Sequence, residues 1–200
     1  MSKNTSSAAL KQKSIAAMTT KALAYCAMLA AIQVVLARLI VPMPAADVRF
    51  SIEAVPVFLA GMLFGPIAGA LVGFSSDLVG CLFSGFGYNP LFCIPPILYG
   101  VCGGLFSAWL GKKVSLPRLL LAIAPAVVLG SILWQSFALT YVYFKDGPFI
   151  DGLVLRLGAR SVQFLVTMVI DAVVLNLLFK SKIFERTGVW PRRKISSEEK

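Results

Sequence analysis

Residues 51–83 read SIEAVPVFLAGMLFGPIAGALVGFSSDLVGCLF, and the way this stretch folds decides the architecture. From Ala54 to Ser76 it holds no charged residue, and the first to appear is Asp77. A helix needs about 20 apolar residues to cross the bilayer core, so the whole stretch is too long for one ordinary span. Gly65-Pro66 lies in its middle. A proline can kink one long helix, but the residue before a proline is pushed out of helical geometry. The pair therefore reads as a tight hairpin between two membrane helices, 51–64 and 67–83, the first of them short.

Working outward, the same pattern recurs. Residues 22–36 carry no charge, and the apolar run continues past Arg38 to Val41. Residues 78–111 are uncharged and are broken by the turn-forming sequence Gly85-Phe86-Gly87-Tyr88-Asn89-Pro90. Residues 119–144 form another apolar run, and residues 161–179 a last one with Asp171 as its single acid. Six helices result: 21–41, 51–64, 67–83, 91–110, 119–144 and 160–179. The chain reads as an all-α membrane protein, a compact six-helix transmembrane bundle. A polar arm (1–20) precedes the membrane domain (21–180), and a basic tail (181–200) follows it. There is no second domain and no internal repeat. The first apolar run exceeds the roughly 7–15 residues of a signal-peptide core, so no cleavable signal is expected.

Composition agrees. Hydrophobic residues make up 58% of the 200 and charged residues 14%, against about a quarter charged in an average soluble domain. Such a chain is too apolar to be disordered, and a soluble domain of its length could not hide that much apolar surface. Lysine and arginine number 19 against 9 acids. Fourteen of the 19 flank the helices on the side of the termini: the arm, the 111–118 connection and the tail. By the positive-inside rule both termini are cytoplasmic. The basic tail thus reads as a topology signal rather than a nucleic-acid patch, and the expected location is a bacterial plasma membrane, crossed several times.

Several chemistries are excluded. The chain contains no histidine, so a serine–histidine dyad at Gly73-Phe74-Ser75-Ser76 cannot form. It has no G-x-x-x-x-G-K-[ST] phosphate loop. Cys26, Cys81, Cys93 and Cys102 lack paired metal spacing and read as small apolar residues in helices. The carboxylates are too few and scattered for a metal-dependent transferase. No enzyme activity, metal or cofactor is expected.

Small residues mark close helix approaches. Gly61, Gly65, Gly69 and Gly73 recur at four-residue spacing, and Gly100 and Gly104 repeat it. In lipid such faces let backbones touch, and internal packing is the expected use here. Ala24, Ala27 and Ala31 form a similar face on the first helix, suited either to internal packing or to docking on a partner.

Polar residues cluster by depth. Arg49, Ser51 and Glu53 sit at the outer start of the second helix, where an acid suits the helix dipole. Asp77 lies near the outer end of the third helix. Tyr88 and Asn89 lie in the following connection, Trp134 and Gln135 in the outer half of the fifth helix, and Arg160 and Gln163 at the outer end of the sixth. Ionisable groups in membrane helices usually face the bundle interior. Two readings of Asp77 stand side by side: a ligand contact, or an internal ion pair with Arg49 or Arg160. Trp134 and Tyr141 suit either the site or the interfacial aromatic belt. Asp171 and Asn176 lie deeper and read as helix bridges. Arginines at an outer mouth suit a carboxylate, and aromatics and amides suit a flat heterocycle. The composite is an outward-opening site for an anionic, ring-bearing molecule.

The segment Val48-Arg49-Phe50-Ser51, then Pro56, Leu59-Ala60-Gly61-Met62-Leu63-Phe64-Gly65-Pro66, Gly69, Gly73, Asp77 and Gly80 resembles the substrate-binding S components of energy-coupling factor (ECF) vitamin transporters. Gly87-Tyr88-Asn89-Pro90-Leu91 through Leu98-Tyr99-Gly100 to Gly104 resembles the folate branch of that family. Leu91-Phe92-Cys93-Ile94-Pro95-Pro96 departs from the glycine-aromatic-threonine pattern expected after Pro90. The resemblance implies an S component that captures folate, or a related pterin, from outside. It implies docking through the Ala24, Ala27 and Ala31 face on a transmembrane coupling subunit that carries two ATP-binding subunits, and release by toppling in the membrane. Arg49, Asp77, Tyr88, Asn89, Gln135 and Arg160 are the expected ligand residues, with Asp77 accepting from the pterin edge and Arg49 or Arg160 holding carboxylate. An S component for another vitamin, such as riboflavin or pantothenate, and an oligomeric channel built on the glycine faces remain as alternatives.

Overall fold

The computed structural model describes residues 20–38, 52–83, 88–110, 114–143 and 149–181. Arg49, Ser51, the turn at 84–87, Lys145, the N-terminal arm and most of the C-terminal tail lie outside the described residues. Among the described residues every regular element is helical. The helices are α1 (Thr20–Arg38), α2 (Ala54–Phe64), α3 (Pro66–Leu82) and α4 (Ile94–Leu110). A fifth span follows in three segments: α5 (Leu116–Ala126), a π-helical segment (Val127–Trp134) and α6 (Gln135–Tyr143). The sixth is α7 (Phe149–Lys180). A 3₁₀ turn, Pro90–Phe92, leads into α4. α1, α4, the fifth span and α7 are long and apolar enough to cross a membrane, and α2 and α3 are shorter apolar helices. The six-helix architecture expected from the sequence is the one observed.

The hairpin at Gly65-Pro66 has a direct cause. Gly65 adopts φ 105°, a conformation that side chains rarely tolerate, while its N–H still closes the last turn of α2 onto the Gly61 carbonyl. Pro66 then opens α3 at a position where its missing N–H costs nothing. The two helices fold back together and both pack on α4.

The glycines bring these three backbones into contact. A Cβ built on Gly61 or Gly69 would collide with the backbone carbonyl of Gly100. One built on Gly104 would strike the backbone of Pro66. Internal packing is therefore the use of this stripe. Beneath it lies a core that includes Val57, Phe58, Met62, Leu119, Ile123 and Leu175.

Two helix boundaries reposition polar groups. With 11 residues, α2 is only about 16 Å long, roughly half the hydrocarbon thickness. Glu53, at its N-cap, therefore stands about 16 Å from the Gly65 turn. α7 begins at Phe149, eleven positions before Arg160, so Arg160 lies within the helix and not at its end. The segment looked like a loop because it mixes Asp151, Gly152, Arg156 and Gly158 into the apolar run. Tertiary packing keeps it helical: Gly152 is buried, and α7 packs against α6.

α1 packs against α2 and α3 through Cys26, Leu29 and Gln33, all buried. Ala24, Ala27 and Ala31 face outward, together with exposed Leu23, Met28, Ile32 and Val35.

Candidate ligand-binding site

The connection between α3 and α4 is held by a relay of hydrogen bonds. The Cys93 thiol donates to Asp77 Oδ2 at 2.8 Å. The Tyr88 hydroxyl lies 3.1 Å from the same sulfur. Since the thiol proton is directed at Asp77, Tyr88 is the donor in this second bond. That bond, and then partial burial, push the Tyr88 phenol up to about 12. Asn89 Oδ1 accepts the Leu91 N–H at 3.1 Å and caps the 3₁₀ turn. The Trp134 indole N–H donates to the Leu91 carbonyl at 2.8 Å, tying this connection to the fifth span.

Asp77 and Tyr88 thus meet at the Cys93 sulfur, while Asn89 and Trp134 both hold the adjoining Leu91 backbone. Gln135 is half-buried beside Trp134, at the start of α6. Arg160 is half-buried on α7, its guanidinium 5.6 Å from the ring centroid of Phe164. Arg49 lies outside the described residues. The ion pair of Asp77 with Arg49 falls outside the described residues; the hydrogen-bond partner that the structure gives Asp77 is the Cys93 thiol.

Cys93 was the residue that sequence reasoning missed. Read as a small apolar side chain, it is instead the hinge of the relay between Tyr88 and Asp77. Its position immediately after the Asn89-Pro90-Leu91-Phe92 turn was the available signal, because the turn is what returns the chain to the Asp77 end of α3.

The π-helical segment shapes the inner side. Its wider turns direct two side chains at neighbouring elements: Ser131, whose hydroxyl is 3.2 Å from that of buried Tyr99, and Trp134. Gly130 allows the approach to α4, because a Cβ there would meet Pro95 Cα at 3.2 Å. Trp134, Phe137 and Tyr141 continue as a run of ring contacts at 6.0 and 6.2 Å between centroids.

Further inside, α7 presents a polar stripe. Gln163, Thr167 and Asp171 are all buried, and they share one face with Arg160 at spacings of three, seven and eleven residues. The reading of Asp171 as a bridge between helices does not hold: neither carboxylate oxygen has a hydrogen-bond partner among the described residues. Glu53 and Tyr99 are within electrostatic range of it. Chemically, the arrangement offers aromatic and polar groups at the α3–α4 connection and a separate buried set of polar side chains on α7, with no group of three or more metal-ligating side chains among the described residues.

The chain matches the ECF transporter, substrate-specific component family over residues 21–179. A stretch of 83 residues, 41% of the chain, is 36% identical to the folate transporter FolT of Clostridium novyi (strain NT); the match spans 47% of that relative, about half its length. The fold resembles that of FolT crystallised with folic acid, with a TM-score of 0.63 and 26% identity, covering 78% of this chain and 93% of that one. It also resembles the S component of a bacterial ECF transporter, with a TM-score of 0.50 and 22% identity over 88% of this chain and all of the other, a likeness of fold. The family match covers all six spans and both halves of the site, and the chain belongs to the substrate-specific component family of ECF transporters.

Proposed function

We propose that this protein captures folate, or a closely related pterin, at the outer face of the membrane and delivers it to an ATP-driven ECF module. Membership of the family makes it a multi-pass membrane component of a transporter rather than an enzyme. Folate as the ligand is supported chiefly by the likeness, over 93% of its length, to a FolT structure containing folic acid. The site chemistry agrees with that ligand. Asp77, Tyr88, Asn89 and Gln135 supply donors and acceptors around the site, and Trp134 supplies an aromatic wall. Arg49 and Arg160 are the cations for the carboxylate end.

The termini face the cytoplasm in this reading, on the strength of the 14 basic residues on their side. The exposed Ala24, Ala27 and Ala31 face meets a transmembrane coupling subunit, which in turn carries two ATP-binding subunits. Small side chains there let a partner helix approach closely.

Equilibrium binding of labelled folate to the purified full-length protein tests the proposal, with riboflavin and pantothenate as competitors. Folate binding that neither competitor displaces is the expected result. Displacement by riboflavin or pantothenate would transfer the assignment to that vitamin, and conductance by the protein alone in liposomes would replace it with a channel.

A further inference from the structure

Asp171 is the most anomalous side chain in the bundle. It is 2% exposed, and neither oxygen has a hydrogen-bond partner among the described residues. An acid stranded at membrane depth is costly, and such groups are kept for a function. Its depth follows from helix geometry: it lies nine residues before Lys180, or about 14 Å from that end of α7. Glu53, about 16 Å above the Gly65 hairpin on the same side of the membrane, is at the same level. The Tyr99–Ser131 pair borders the region from α4 and the fifth span.

We infer that Asp171 is the deep anchor of the ligand site, accepting two adjacent N–H donors of an aminopyrimidinone ring edge. This rests on the folate-type reading above. A carboxylate receives such an edge with both oxygens at once, as it receives a guanidinium fork. Asp77 is the poorer acceptor, because its Oδ2 already takes the Cys93 thiol proton. Asp171 has both oxygens available. The stripe on α7 also sets the direction of the ligand. Arg160 stands eleven residues before Asp171 on the same face, about 16 Å nearer the outside. A long ligand with a donor-bearing ring at one end and carboxylates at the other lies along this stripe, ring inward and anionic end toward Arg160. Gln163 and Thr167, both buried, line the path between the two ends.

The test is a comparison of dissociation constants for the purified full-length protein. The ligands are folate and a folate analogue in which a methyl group replaces the exocyclic ring amine. The proteins are wild type, Asp171→Asn and Asp77→Asn. Wild type is expected to bind the methyl analogue about 10- to 100-fold more weakly than folate, the range for a lost hydrogen bond to a charged acceptor. Asp171→Asn weakens folate by a similar factor and no longer distinguishes the two ligands. Asp77→Asn keeps the distinction. Equal binding of both ligands by wild type overturns the inference without any variant, so the result stands even if Asp171→Asn fails to fold. Undiminished discrimination by a folded Asp171→Asn, or its loss in Asp77→Asn, overturns it too. In each of these cases folate still binds wild type, and the folate reading survives. Absence of folate binding by wild type removes that reading, and this inference with it.

Discussion

Replacing Gly100 by alanine probes the arrangement on which every other feature depends. A Cβ at this position falls on the backbone of Gly69 and lies 2.8 Å from the Ala70 nitrogen. Carbon-to-heavy-atom contacts are comfortable at about 3.5–4.0 Å, so α3 and α4 must part by roughly 1 Å. No side chain can swing aside, because the obstruction is backbone. A gap of that size forfeits up to about half of each dispersion contact along the interface. Overpacking costs typically about 1–3 kcal/mol, and the upper end applies where the neighbours cannot move. For a chain of this size, about 3 kcal/mol lowers Tm by roughly 6–12 °C.

The control is Gly80→Ala. A Cβ on Gly80 meets nothing within 4 Å. In a helix, alanine is favoured over glycine by about 1 kcal/mol, so Gly80→Ala should match or exceed wild type. Thermal unfolding of detergent-purified protein, followed by tryptophan fluorescence, gives both values. A Gly100→Ala protein as stable as Gly80→Ala would refute the claim that the three backbones touch. The consequence for function follows from position: Gly100 is next to Tyr99, so parting α3 from α4 also disturbs the Tyr99–Ser131 pair.

Three further outcomes are expected. Cys93→Ala removes the donor to Asp77 and should lower stability by about 1.5–3 kcal/mol, the range for a hydrogen bond to a charged group, whereas Cys93→Ser restores most of it; equal thermal unfolding of the two variants would remove the relay. The Tyr88 phenol, raised from 10.0 to about 12, makes a contribution to stability that is intact below about pH 10 and lost as pH rises toward 12. A tyrosinate absorbance titration of wild type minus Tyr88→Phe should accordingly show no ionisation of this residue at pH 10, and half-ionisation there would mean that the bond to Cys93 is absent. Leucine at Ala24, Ala27 and Ala31 together should abolish co-purification with the coupling subunit while leaving folate affinity within about twofold, because these side chains face outward and away from the site; retained co-purification would place the docking surface elsewhere.

The hairpin was legible because its two determining residues are adjacent and act locally: a proline forbids one conformation before it, and a glycine permits another. The outer cluster was legible for a different reason. Asp77 interrupts an apolar run, and Tyr88 and Asn89 sit in the turn sequence that follows it, so each stands out against an apolar background. Cys93 did not stand out, since a thiol is apolar in composition and becomes a donor only when a carboxylate is placed 2.8 Å away by folding. The π-helical segment could not be read either. Val127–Trp134 is a uniformly apolar run apart from Ser131, and nothing in its periodicity distinguishes a turn closed at five residues from one closed at four.

The α7 stripe shows how a boundary error propagates into a functional one. Placing the helix start at Arg160 puts that arginine at a rim and leaves Asp171 isolated below it. Starting the helix at Phe149 sets half-buried Arg160 inside the span, on one face with buried Gln163, Thr167 and Asp171. The spacing of three, seven and eleven was present in the sequence. Its meaning depended on knowing that the face is turned inward, which hydropathy alone cannot give, because a membrane helix is predominantly apolar whichever way it faces. Burial breaks the tie. A polar stripe on a lipid-facing side would demand snorkelling or a partner, whereas an inward stripe ending in an acid with two open oxygens demands a ligand that brings donors.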